Sequence, residues 1–339
     1  MQQGEVVVAD LTEGFLIAPD LDTLVLALSY TDASDPTRNL LACIAPDLGS
    51  NLFRLKVGQH DLLHCETEKL KQRGHTGTFV LWPFPNRVRD KQYTYRGQHY
   101  TFDGVPRNQG ALIHGLVFDR SWSYEPPLAN EQGASVTTFV EMNADSPYYS
   151  AYPFASRLAL TYTLTSAGIT VTYSVRNTGN QPLPYGFALH PYFHLPTSAE
   201  RTQVTLPARH VMEADQELLP TGRLLDVDSV MYGMFNLSQP TPVSQLKLDH
   251  VYTSLPPANE ALIEHCDLSL RVRATASPDF THTVIYTLGD GPFVCLENQT
   301  CSTDAINLYQ QDRQDIAHLL EVQPGAESSG FIRYAVEYA

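Results

Sequence analysis

The stretch "RLALTYTLTSAGITVTYSVRNTGN", residues 157–180, alternates apolar and small polar residues twice over. Leu158, Leu160, Tyr162 and Leu164 form one series, and Ile169, Val171, Tyr173 and Val175 the next. A period of two sends alternate side chains to opposite faces of an extended chain, so both halves read as half-buried strands. Ser166, Ala167 and Gly168 between them close a β-hairpin. Working outward, "YTYRGQHYTF" (93–102) sets Arg96-Gly97 between two aromatic-rich strands. "VTTFVEM", "THTVIYTL" and the closing "FIRYAVEY" are further β-branched and aromatic runs between Gly, Pro, Asn and Asp punctuation. Only "SQLKLDHVYTSL" and "NLYQQDRQDIAHL" suggest helix, and both are short and ambiguous. The expected fold class is all-β, a large antiparallel β-sandwich. No linker or fixed-period repeat breaks the strand pattern from about Leu24 to Tyr338, so residues 1–339 are expected to form one domain, with two stacked domains as the alternative.

Apolar residues make up 43% and charged ones 17% of the 339, enough to bury a substantial core and unlike a disordered chain. A formal charge of −15 speaks against nucleic acid or anionic membrane as partner, because both demand clustered Lys and Arg. A neutral small molecule fits better, bound by a monomer or a homodimer. The amino-terminal "MQQGEVVVADLTEG" lacks the basic flank and apolar core of a secretory signal, and no run approaches the roughly 20 apolar residues of a membrane span. The expected location is cytoplasmic. Cys43, Cys65, Cys266, Cys295 and Cys301 contain no CxxC pair, which favours reduced thiols over a disulfide framework or a zinc site.

"GPFVCLENQT" (291–300) delivers an apolar run, Phe293–Leu296, straight to Glu297. Such runs belong to strands buried on both faces, where an unpartnered Glu is rare, so Glu297 sits at the mouth of the core or is held there for chemistry. "PNRVRD" offers Asn86, Arg87 and Arg89, and an arginine fork suits several oxygens at once. "LIHGLVFDRSW" sets His114 beside Gly115, whose missing side chain lets another group approach the backbone. Trp122 in the same stretch reads as core rather than as a sugar platform. In "FALHPYFHLP", His190 and His194 are separated by four positions and so share a strand face. The spacing matches no HExxH or Cys/His metal pattern, and Pro191 would break the helix that one requires. "LKLDHVYTSLP" adds Asp249 and His250.

"NRVRDKQYTYRGQHY", "HGLVFDRSW", "LHPYFHLP", "LDHVYT" and "FVCLENQTCSTDAIN" occur in the order and at about the spacing of the aldose 1-epimerase, or galactose mutarotase-like, family. The chain resembles that family over nearly its whole length. "PDLGSNLFRLKVGQHDLLH" is likewise similar to the strands and glycine turn that open these proteins. The resemblance implies a supersandwich with a cleft across one sheet, and catalysis without metal or cofactor. Carried over motif by motif, it implies Glu297 as general base and His190 as general acid, with Arg87, His114 and Asp249 as sugar ligands. "PFPNR", "HGLVFDRSW" and Leu189-His190-Pro191 depart from the best-known galactose mutarotases and mark a divergent branch.

The chemistry suits these residue types. Opening a pyranose removes the anomeric hydroxyl proton and delivers one to the ring oxygen, so a base and an acid must flank the same C1–O5 unit. At neutral pH Glu is ordinarily ionised and His partly protonated, and nearby negative charge is expected to keep the histidine charged. The expected activity is an aldose 1-epimerase, or mutarotase, exchanging the α and β anomers of a free aldose. The alternatives are a hexose-6-phosphate 1-epimerase that uses Arg87 or Arg89 for phosphate, a non-catalytic carbohydrate-binding sandwich, and a glycosidase that pairs Glu297 with Asp249.

Overall fold

In the computed structural model, residues 3–9, 21–105, 110–289 and 291–338 are described. Much of the amino-terminal stretch read above for a signal therefore lies outside the described residues. Strand accounts for about 49% of the described residues and helix is minor, so the fold is all-β.

The central hairpin forms as its alternation requires. Strands Ser156–Thr165 and Gly168–Asn177 pair antiparallel, from Ser156 opposite Asn177 to Thr165 opposite Gly168. Ser166-Ala167 alone make the turn, and Gly168 is the first paired residue rather than part of it. The glycine is needed there because its φ is +119° and a Cβ would stand 2.2 Å from the Tyr334 carbonyl oxygen. The smaller hairpin joins Gln92–Tyr95 to Gln98–Thr101 through Arg96-Gly97, both at positive φ, the backbone of a type I′ turn.

The central hairpin lies within a large antiparallel sheet. From one edge it runs Ser123–Tyr124, Gly133–Met142, Ser156–Thr165, Gly168–Asn177, Glu327–Tyr338, Leu270–Ala276, Ala261–His265, Thr202–Leu206 and Leu237–Pro242. A second antiparallel sheet runs Pro220–Asp226, His210–Ala214, Asp249–Thr253, His282–Thr287, Phe293–Gln299, Ala188–His194 and Thr78–Leu81. Of the two ambiguous stretches, 307–319 contributes to helices Ala305–Gln310 and Gln314–Ala317, whereas 244–255 contains the strand Asp249–Thr253. Among the described residues, no helix is long and apolar enough to cross a membrane.

One core joins the two large sheets. Val80, Leu189, Phe193, Ile285, Val294 and Leu296 of the second sheet pack in the cluster that holds Leu158, Tyr162, Val171 and Tyr173 of the first. The alternate residues Phe79, Ala188, Tyr192, Phe293 and Cys295 form a separate cluster with Phe118 on the sheet's other face. Both faces of 293–296 are therefore covered, which is why the run lacks polar alternation. Parity assigns Glu297 to the face of Phe293 and Cys295, away from the main core.

Candidate active site

Phe293–Gln299 pairs with Ala188–His194 on one side and His282–Thr287 on the other. The pairs Ala188–Gln299 and Tyr192–Cys295 bracket His190 and Glu297, which brings these two to one level on adjacent strands. Glu297 Oε1 lies 3.2 Å from His190 Nε2, and the side chains are only 3–6% exposed. Gln299 Nε2 donates to the other carboxyl oxygen at 3.3 Å. The imidazole is stacked between Phe79, 4.6 Å away, and Tyr192, 4.9 Å away, while its Nδ1 has no hydrogen-bond partner. Ring stacking thus orients His190, leaving Nε2 aimed at the carboxyl group.

Arg87 and His114 approach from a short ladder in which Arg87–Val88 pairs with Leu112–Ile113. Arg87 Nη1 donates to Asn86 Oδ1 at 3.0 Å, and the His114 amide donates to the Asn86 carbonyl at 2.7 Å. His114 itself is left-handed, with φ +62°, an uncommon conformation for a residue with a side chain. Next to it, a Cβ on Gly115 would stand 2.2 Å from the Trp82 carbonyl oxygen, so the group that approaches this glycine is backbone. Asp249 opens its strand opposite Tyr286. With His75, Asn86, Ile113, Tyr192, Val284 and Tyr286, these five residues line one cleft of about 180 Å³.

The model of the aldose 1-epimerase family matches residues 36–334. The chain belongs to this family. A relative, the uncharacterized protein YihR of Escherichia coli K12, is 31% identical over 228 residues, 66% of this chain and 70% of that protein. A galactose mutarotase-like protein from Clostridium acetobutylicum superposes with a TM-score of 0.82 over 99% of this chain and 98% of its own, at 19% identity. The galactose 1-epimerase of Lactobacillus acidophilus does so at 0.74 over 100% of both chains, at 16% identity. At such identities the two structures establish a shared fold.

The cleft brings together Arg87, His114, His190, Asp249 and Glu297, which the sequence separates by up to 210 positions. It excludes others. His194 shares that strand face but does not line the cleft, so the two histidines do not point into one cavity; its ring stacks 6.0 Å from His64 at the end of the strand. Arg89 is held by Asp215 and by buried Asp304. Trp122 is buried and donates Nε1 to the Val117 carbonyl. All five cysteines are free. Sequence reasoning missed His75 and Tyr286 as lining residues. Tyr286 had a usable signal, because Val284 pairs with Glu297 and parity then puts Tyr286 on the same face. His75 sits in a loop and has no periodicity to reveal it.

The expectation of a charged histidine is corrected. Burial, reinforced by the charge of His75, pushes the His190 pKa down to about 3. Burial first, and then the Asp249 charge, raise Glu297 well above the ordinary carboxylate range, with Gln299 and Arg87 acting in the opposite direction. Desolvation likewise holds His114 neutral, with His190 and His75 adding to it. Burial of both groups therefore favours the neutral form of each partner. A protonated carboxyl beside neutral imidazole contains the same number of protons as a carboxylate beside imidazolium. One proton across the 3.2 Å contact interconverts them, so the pair stores the proton that acid/base work requires. Among the described residues, no group of three or more His, Cys, Asp or Glu is arranged to hold a metal ion.

Proposed function

We propose that the protein is a mutarotase that interconverts the α and β anomers of a free aldose. Once the stored proton has passed from Glu297 to His190, the Glu297 carboxylate takes the proton from the anomeric hydroxyl as C1–O1 becomes a carbonyl. The C1–O5 bond breaks, and its electron pair receives a proton from His190. Rotation about C1–C2 presents the other face of the aldehyde, and the two groups run in reverse to close the opposite anomer. The hydroxyl groups are held by Arg87 and Asp249, with His114, kept neutral, able to donate and to accept. Each proton transfer contributes a factor of roughly 10² to 10⁴.

The observation that carries this reading is the buried contact between Glu297 Oε1 and His190 Nε2 at the base of the cleft. A binding module has no use for two apposed proton-transfer groups. A glycosidase calls for two carboxylates across one glycosidic oxygen, whereas the immediate partner of Glu297 is an imidazole. The hexose-6-phosphate alternative is weakened by Arg89, which is already occupied by Asp215 and Asp304. Among the described residues, Arg87 is then the one arginine lining the cleft.

Anomer exchange by NMR, with glucose, galactose, xylose, arabinose and glucose 6-phosphate, tests the reaction. Acceleration for at least one neutral sugar is expected. No acceleration with any sugar would count against mutarotase activity, and acceleration with the phosphate ester alone would favour the alternative.

A further inference from the structure

The cleft does not end at the acid/base pair. His75, Tyr192 and Tyr286 also form one wall of a second, larger cavity of about 610 Å³ that opens outward to solvent. A continuous run of rings joins the two. His190 stacks on Tyr192 at 4.9 Å, Tyr192 meets the Phe293 edge at 4.6 Å, and Phe293 stacks on His64 at 5.5 Å. Leu288, 56% exposed, stands at the margin of this outer cavity.

From this continuity we infer an outer subsite that takes a second sugar ring, so that the preferred substrate is the reducing end of a disaccharide or longer oligosaccharide. The inference rests on the mutarotase reading for its inner half only. The anomeric carbon must lie against the Glu297–His190 pair, and the side of the cleft lined by His75, Tyr192 and Tyr286 is continuous with the outer cavity, so a further ring attached on that side of the sugar enters it. Aromatic faces bordered by polar groups suit a pyranose, which has apolar C–H faces and hydroxyl edges. An anionic substituent is less well matched. Lys69 is paired with Glu66 at 2.6 Å, and Arg73 already donates to the Asp119 carbonyl at 2.7 Å and to Ser121 Oγ at 3.2 Å.

The test compares kcat/KM for anomer exchange on glucose and galactose with that on cellobiose, maltose, lactose and melibiose, with glucose 6-phosphate alongside. At least one disaccharide is expected to exceed its own monosaccharide by about tenfold, and Phe293→Leu to reduce that ratio by about fivefold through KM. A ratio of one or less, or a preference for the phosphate ester over every disaccharide, overturns the outer subsite while leaving mutarotation intact. If no sugar is turned over, calorimetric titration of wild-type protein decides. Tighter binding of a disaccharide than of its monosaccharide supports the subsite without the reaction, and equal or absent binding overturns it.

Discussion

Glu297 and His190 reach their 3.2 Å contact from adjacent strands whose other faces belong to the main core. Neither side chain can withdraw to water, so the sheet that holds them also determines their charge. That relationship sets the expected behaviour of the site.

Arg87→Ala and Asp249→Ala remove groups that line the cleft without belonging to the buried contact. Each is expected to raise KM by about tenfold or more and to change kcat far less, as read from exchange rates across a sugar concentration series. A fall confined to kcat would assign them to the chemical step.

The pH profile follows from the proton count of the pair. The working state holds one shared proton, and it is lost when that proton leaves as pH rises through the elevated Glu297 pKa. Activity should therefore fall on the basic side, at a pH well above the ordinary carboxylate range. Asp249→Asn removes a negative charge that raises this pKa, so the basic limb should move to lower pH. An unmoved limb would show that another group governs it.

His265 and His282 are buried, with pKa values pushed down by desolvation to about 4 and about 3. The unfolded chain takes up protons below about pH 6.5, before these folded-state groups do. Their contribution to stability is therefore complete above that pH and is lost as pH falls toward 3–4. At about 1.4 kcal/mol per pH unit, two groups over 1.5 units cost about 4 kcal/mol by pH 5. Denaturant titrations at pH 7 and pH 5 check this, and equal stability at both would contradict it.

Gly168→Ala should destabilise the fold by about 1–3 kcal/mol, since the residue keeps φ +119° and its new Cβ meets the Tyr334 carbonyl. Thermal melting reads the effect. An unchanged melting temperature would mean that the strands separate there at no cost.

Much of this was legible in the sequence because period-two alternation is a direct imprint of a half-buried strand. Leu158 to Val175 show it, and the odd positions of 293–297 become readable once the strand is known to be covered on both sides. Motif order singled out Glu297, His190, Arg87, His114 and Asp249, which the cleft collects. What stayed hidden depends on tertiary neighbours. The loss of charge at His190 follows from burial between Phe79 and Tyr192, and the occupation of Arg89 follows from Asp304, more than 200 positions away. The His190 and His194 pair misled because a shared strand face does not ensure a shared cavity when one residue lies at the strand's end.

The most direct measurement is anomer exchange by NMR with wild-type protein and Glu297→Gln, on a sugar that the wild type accelerates, together with sugar titration of both. The account predicts that the variant binds sugar with affinity within a few-fold of wild type while exchange falls by roughly 10² to 10⁴. Wild-type exchange rates in a folded Glu297→Gln protein would contradict it.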